Sequence, residues 1–256
     1  MSLERDVNMI HLYLRFYEEL NDFLPLERRK KDFMHVINSK ASIKDVIESL
    51  GVPHTEVELI LVNHKSVDFN YHVQDGDRIS IYPMFEAFDV TTLIRVRPEP
   101  LRKTRFILDV HLGKLAKYLR LLGFDTTYEK SIEDVEIAER SRFENRIVLT
   151  RDINLLKHKR ITHGYWVRND KPINQVQEIL TRFDLYLQCK PLTRCMKCNG
   201  ILIAAPKNEI SKSLLPLTQQ YYEKFMRCDS CQQIYWQGSH YEKLLQKISL
   251  IISKTS

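Results

Sequence analysis

The sequence predicts a multidomain α/β protein made of an α+β segment, a segment with a mainly parallel sheet flanked by helices, and a small cysteine-knuckle segment. Three observations predict it. Residues 8–90 carry the element order strand, strand, helix, strand, strand. Residues 104–188 alternate apolar strands with amphipathic helices, the pattern of a parallel sheet. Residues 189–256 hold two C-x-x-C pairs. A chain of 256 residues suits two or three domains.

In the first segment, "MIHLYLRFY" places Ile10, Leu12, Leu14 and Phe16 at a period of two, which reads as a strand. "FMHVIN" is a second strand. "SIKDVIESLG" is a helix, with Ser42 as N-cap, Ile43, Val46, Ile47 and Leu50 on one face, and Gly51 just past its end. "VELILVN" is a third strand. "YHVQDGDRISIYPMF" turns at Asp75–Gly76 into a fourth strand, Arg78–Tyr82. This order is that of a β-grasp, or ubiquitin-like, fold. "VQDGDRISIYP", together with Asn63 at a strand end, resembles the sulfur carriers of thiamine and molybdopterin synthesis. Those carriers end in a free Gly-Gly tail. Here the matching place reads "MFEAFDV" and the chain continues, so a docking or regulatory module is the better reading. Pro98 and Pro100 among charges mark a linker over residues 91–103.

The second segment opens with "RFILDV", a buried strand ending at Asp109. "HLGKLAKYLRLLG" follows as an amphipathic helix with Leu112, Leu115, Ala116, Leu119 and Leu122 inward and Gly123 as cap. "FDTTYE" is a strand and "SIEDVEIAERSRFEN" a helix. "RIVLTRD" is a strand ending at Asp152, "INLLKHK" a short helix, "GYWVRND" a strand and "INQVQEILTRF" a helix. In the last segment "HYEKLLQKISLIISK" is a terminal helix.

"CMKC" at 195–198 and "CDSC" at 228–231 are separated by 29 residues. Two such knuckles set four thiolates around one zinc, and four protein ligands leave no open position, so this zinc is structural. The ligands expected are Cys195, Cys198, Cys228 and Cys231, with Cys189 a bystander. An odd cysteine count and no signal-peptide pattern argue against a disulfide scaffold. No apolar run is long enough to span a bilayer, and the expectation is a soluble cytoplasmic protein with no membrane partner. Residues 190–256 carry 10 Lys+Arg against 4 Asp+Glu, so the positive charge gathers in the last segment, where it favours a polyanionic partner.

Asp109 and Asp152 both end strands. In an open parallel sheet ligands bind outside the carboxyl ends of the strands, and acids gathered there suit metal-ion catalysis. A third acid is expected from the intervening helix, among Glu133, Asp134 and Glu136. Asp134 is preferred because it starts the helical pattern. Hard oxygen ligands suit Mg²⁺ or Mn²⁺. A strand-end aspartate is also a common helix cap, and Asp152 precedes a helix.

"LDVHLGKLAKYLRLLGFDT", "EDVEIAE", "RIVLTRDINLL", "RCMKCNG" and "CDSCQQIYWQGSH" together resemble the Mut-seven-C RNase domain family, a PIN-like nuclease domain followed by a zinc ribbon. Some members carry a ubiquitin-like domain in front. The resemblance covers about residues 104–242. It implies a metal-dependent ribonuclease, with Asp109, Asp134 and Asp152 matching PIN-like metal-binding acids. A fourth ligand after Asp152 is missing, and the chain offers only Asn154 there. Lys114, Lys117, Arg120 and Arg151 are candidate phosphate contacts, with a solvated face or ion pairing as the alternative role. Trp236 and His240 are candidate RNA contacts of the ribbon, the alternatives being cover for a small core and a helix cap. The second functional reading is a catalytically weak RNA-binding adaptor that recruits a protein partner through the β-grasp domain. Endonucleolytic action is the expectation, and the oligomeric state is open.

Overall fold

The computed structural model describes residues 9–83 and 104–252. The expected linker at 91–103 and the "MFEAFDV" stretch lie outside the described residues. Two compact units form. One holds residues 9–83 with residues 152–166, and the other holds residues 104–151 with residues 167–252. Among the described residues no helix is long and apolar enough to cross a membrane.

In the first unit β1 (Ile10–Phe16) pairs antiparallel with β2 (Phe33–Ile37), and α1 (Ile43–Ser49) follows. β3 (Val57–Val62) forms a hairpin with the short β4 (Lys65–Val67). β5 (Arg78–Pro83) lies between β1 and β3, parallel to the first and antiparallel to the second. The sheet order β2-β1-β5-β3-β4 is the β-grasp arrangement expected. Alternation along β1 sends Leu12, Leu14 and Phe16 into a core shared with Ile43, Val46 and Ile47 of α1.

Local chemistry fixes these elements. Ser42 Oγ accepts the Asp45 amide at 3.2 Å and caps α1. Gly51, at φ +97°, closes the other end, where the Gly51 and Val52 amides donate back to Glu48 and Ile47. That double bond is a Schellman cap. Asn63 and His64 both have positive φ, as a two-residue hairpin turn of type I′ requires. Asn63 also donates to buried Asp77 at 2.8 Å and accepts the Arg78 amide at 3.0 Å. Its place at the strand end is therefore explained by a turn and a latch.

In the second unit β6 (Arg105–Leu108) is followed by α2 (Gly113–Leu121), β7 (Asp125–Tyr128), α3 (Asp134–Phe143) and β8 (Ile147–Thr150). β6 is parallel to β7 on one side and to β8 on the other. The chain thus moves one way from β6 to β7 and then crosses back to β8. The switch in strand order falls between β6 and β8, where the carboxyl ends of an open parallel sheet leave a crevice.

Residues 152–166 belong to the first unit and carry α4 (Ile153–Leu156) and β9 (Gly164–Trp166). The β-grasp residues hold this segment by polar contacts. His54 pairs through Nδ1 with Glu48 at 2.6 Å, and its Nε2 meets the Ile161 carbonyl at 2.8 Å. The Trp166 amide donates to Glu56 at 2.6 Å, and Lys157 Nζ donates to the Glu48 carbonyl at 3.1 Å.

After α5 (Pro172–Arg182) the second unit ends in the ribbon. β10 (Leu202–Ala205), α6 (Lys207–Ile210), α7 (Pro216–Tyr221), β11 (Phe225–Cys228) and β12 (Ile234–Trp236) lead into α8 (Ser239–Ile252). The ribbon sheet is antiparallel, in the order β10-β11-β12. The stretch between the knuckles supplies α6 and α7.

Candidate functional site

The four cysteines are built by two loops with the same hydrogen-bond pattern. In the first, the Asn199 amide donates to Cys195 O at 2.9 Å and the Cys195 amide to Gly200 O at 2.8 Å. In the second, the Gln232 amide donates to Cys228 O at 3.2 Å and the Cys228 amide to Gln233 O at 3.0 Å. Asn199 and Gln232, each just after the second cysteine of a pair, adopt positive φ. This turn aims the backbone amides at the sulfurs. Cys195 Sγ receives the Lys197 and Cys198 amides, and Cys228 Sγ receives the Ser230 and Cys231 amides.

The four sulfurs all lie within 4.8 Å of one another, with Cys195–Cys231 at 3.6 Å and Cys198–Cys228 at 3.4 Å. A tetrahedron with metal–sulfur bonds of about 2.3 Å has edges of about 3.8 Å. The donor set therefore fits a thiophilic ion such as zinc. Burial pushes the Cys195 thiol up, but the Tyr235 hydroxyl at 3.1 Å and the backbone amides outweigh it and bring the thiol down to about 7. That favours a thiolate at Cys195, while burial raises the thiols of Cys198, Cys228 and Cys231. Tyr235, which the sequence offers with Trp236 as an aromatic to stack on RNA bases or to cover the ribbon core, has its hydroxyl beside a sulfur.

The first knuckle is fastened to the parallel sheet by residues the sequence did not mark. Asn199 Oδ1 accepts the Thr126 amide at 2.9 Å, and its Nδ2 donates to Asp125 at 2.8 Å. Asp125 also takes Arg146 at 2.7 Å and Arg194 at 3.5 Å. Burial raises the Asp125 carboxyl, but the bonds from Arg146 and Asn199 and the two guanidinium charges hold it below its ordinary value. Arg120, expected as a phosphate contact, is instead buried at 4% exposure. Its guanidinium donates to the carbonyls of Thr126, Tyr128, Met196 and Lys197. The signal that could have found this anchor is its position in the last turn of α2, beside the Gly123 cap. At Gly123 (φ +93°) a Cβ would stand 2.2 Å from the Lys190 carbonyl, so the returning chain passes directly over that turn.

Asp109 sits where the switch in strand order predicts, at the carboxyl end of β6. It is 4% exposed. Its Oδ1 accepts the His111 amide at 2.8 Å, and its Oδ2 accepts the Thr150 hydroxyl and, at 3.2 Å, the Arg151 amide. Thr150, the last residue of β8, is thus a direct partner of the carboxylate. Asp134 is the exposed first residue of α3. Asp152 is exposed, and its Oδ1 accepts the Asn154 amide at 2.8 Å to cap α4. Asp109 and Asp134 belong to the second unit and Asp152 to the first. Among the described residues the one set of three or more histidine, cysteine or acidic ligands close enough to share an ion is the cysteine set.

Lys114 and Lys117 are exposed on α2. With His111 and Lys130 they line a cavity of about 490 Å³ that opens beside the 110–113 turn after Asp109. Arg151 donates to the carbonyls of Arg168 and Asn169. Trp236 is 38% exposed on the ribbon, and the His240 side chain lies outside those described.

The fold and site define a class: a ubiquitin-like β-grasp module in front of a parallel α/β domain with a buried strand-end carboxylate and a four-cysteine ribbon. Residues 104–248 match the family described as Mut7-C RNAse domain, and residues 9–89 match the one described as Mut7-C ubiquitin. The first match spans more than half of the sequence, and the chain belongs to the Mut7-C RNAse domain family. This gives it a nuclease-family role. The solution structure of the Haloferax volcanii HVO 2177 protein is similar over 33% of this chain and 97% of its own, at 20% identity and a TM-score of 0.27. No curated protein matches the chain.

Proposed function

We propose that the protein is a metal-dependent, cytoplasmic ribonuclease that hydrolyses internal phosphodiester bonds of RNA, with Asp109, Asp134 and Asp152 as the acids that hold Mg²⁺ or Mn²⁺. The observation that carries it is the family match over residues 104–248, joined to a carboxylate at the switch point of the sheet within that stretch. Three carboxylates are a hard-oxygen donor set that suits these ions. When bound, such an ion supplies an activated water and charge neutralisation at the phosphate. The protein's own residues do the rest. The Thr150 hydroxyl and the Arg151 amide hold the Asp109 carboxylate in place. Lys114, Lys117 and Lys130 offer cations to the RNA backbone. The ribbon, held by one structural zinc on the four cysteines, adds RNA contacts through Trp236. The free thiols suit a reducing compartment. The β-grasp module does not conjugate and serves for docking or regulation.

One observation favours a second reading, that of a weak nuclease acting as an RNA-binding adaptor. Both oxygens of Asp109 already accept hydrogen bonds, which leaves fewer lone pairs for an ion. Cleavage of structured and unstructured RNA with Mn²⁺, by the natural protein and by Asp152→Asn, separates the two. The nuclease reading expects cleavage that falls at least a hundredfold in the variant, the order seen when a charge-stabilising group is lost. Equal cleavage by both removes it. Salt-dependent binding by both, with cleavage by neither, establishes the adaptor.

A further inference from the structure

The ribbon contains a cavity of about 870 Å³ that the zinc and the carboxylates do not use. Its lining includes Phe225 on β11 and Trp236 on β12, which pair across the strands and share a face, Tyr235 on the opposite face of β12, Tyr221 and Tyr222 at the end of α7, and Tyr241 at the start of α8. Phe225, Tyr222 and Tyr235 also pack in the ribbon's small apolar clusters, while two of the six rings are turned outward. Tyr221 is 69% exposed and Trp236 38%. A methyl on Gly238 would come within 2.8 Å of the Trp236 indole nitrogen, so the glycine leaves room for the ring. The indole N–H and the hydroxyls of Tyr222 and Tyr241 form no hydrogen bond among the described residues.

The polar lining has one sign. Lys224 and Arg194 line the cavity, and no carboxylate does. Arg194 is partly engaged with Asp125, while Lys224 makes no ion pair among the described residues. The amides of Gln233 and Gln237 also reach it. Flat aromatic faces, amide edges and a cation without a facing acid are the chemistry of an unpaired nucleotide: a base to stack, edges to bond and a phosphate to neutralise. A docked apolar helix would leave the amides, the hydroxyls and Lys224 unserved.

We propose that this cleft binds the unpaired bases of single-stranded RNA, with Trp236 as the stacking platform and Lys224 as a phosphate contact. The inference rests on the ribonuclease reading only for the identity of the polymer. Double-stranded RNA keeps its bases stacked and offers the cleft phosphates alone. The cleft also adjoins the cysteine site, since Tyr235 lines it and its hydroxyl lies 3.1 Å from the Cys195 sulfur.

The test is fluorescence anisotropy of the full chain, zinc retained and Mg²⁺ and Mn²⁺ omitted, with a labelled adenylate octamer and a hairpin of equal phosphate count. The octamer is expected to bind at least tenfold tighter than the hairpin. Trp236→Ala should weaken the octamer about tenfold and the hairpin little, Trp236→Phe should keep most of the affinity, and Lys224→Gln should weaken both. Should Trp236→Ala lose zinc, Tyr222→Ala takes its place as the reporter. Equal binding of octamer and hairpin overturns the proposal. So does unchanged octamer binding in both alanine variants. Loss of self-association in Trp236→Ala with RNA binding intact overturns it in favour of a second copy of the chain. Cleavage with Mn²⁺, measured apart, separates the two readings. Cleavage without octamer preference sinks the cleft alone, and octamer preference without cleavage sinks the nuclease alone.

Discussion

The cysteine cluster and the aspartates are both candidate metal sites, and they are assembled in opposite ways. The four thiols come from two loops of one unit, each loop rigid by its own hydrogen bonds, and the sulfurs already stand at ligand spacing. The aspartates come from a strand end, a helix start and a segment that belongs to the other unit. The difference teaches what each metal would do. A closed set of local ligands couples ion binding to folding, so its metal holds structure. Among the described residues the aspartates make no ligand set close enough to share an ion, so the ion proposed for them is not built into local structure as the cysteine site is. It also separates stability from activity, because changes at the cysteines should act on folding and changes at the exposed aspartates on turnover.

The largest effect is expected from breaking the cysteine side. Cys228→Ser removes a buried ligand from a site whose metal contributes on the order of 10–16 kcal/mol in small zinc domains. Zinc content should fall from one per chain to none, and amide exchange should speed over residues 190–252 while residues 9–83 keep their protection. Retained zinc, or exchange that quickens evenly across both units, would show that the cluster is not what holds the ribbon.

The knuckle's seat on the sheet should give a smaller, pH-dependent effect. Asp125 is held below its ordinary value, so its contribution is complete above the unfolded carboxylate value of about 3.9 and is lost as pH falls through the lower folded value. Asp125→Asn should cost roughly 1.5–3 kcal/mol at neutral pH, the range for hydrogen bonds to a charged group. It should also remove part of the acid limb of a urea-unfolding profile below about pH 4. Acid also protonates the thiolates in both proteins, so the readout is the difference between their profiles. Parallel profiles would mean that Asp125 is not the seat.

What the sequence made legible was local. Ser42, Gly51 and Gly123 declared helix ends because capping depends on a few adjacent residues. The knuckles declared themselves because the ligand spacing is set within four residues. The β-grasp order followed from alternation in β1 and helical spacing in α1. β4 was not marked, since three polar-leaning residues carry no pattern. Arg120 was misplaced for a different reason. With Lys114 and Lys117 it makes one basic stripe at helical spacing, and only the return of residues 190–199 buries its end of the helix. The attachment of residues 152–166 to the first unit was equally hidden. It rests on contacts such as His54 to Ile161, more than a hundred residues apart.

The finest discrimination lies within the acid set, between Asp109 and Asp134. Asp109 is buried and accepts three hydrogen bonds, so Asp109→Ala should remove all three and cost about 1–3 kcal/mol. Asp134 is exposed on the first turn of α3, where a negative charge gains a few tenths of a kcal/mol, up to about 1, from the helix dipole. Asp134→Asn should therefore shift stability by less than about 0.5 kcal/mol. If both acids hold the catalytic ion, Mn²⁺-dependent cleavage should fall steeply in both variants although only one is destabilised. Urea unfolding and initial cleavage rates on the same preparations give the two readouts. Full activity in Asp134→Asn would remove that residue from the site and return the choice to Glu133 or Glu136. Lost activity in Asp109→Ala that tracks its lost stability, and returns when the folded fraction is restored at lower temperature, would make Asp109 a structural latch between β6 and β8 rather than a ligand.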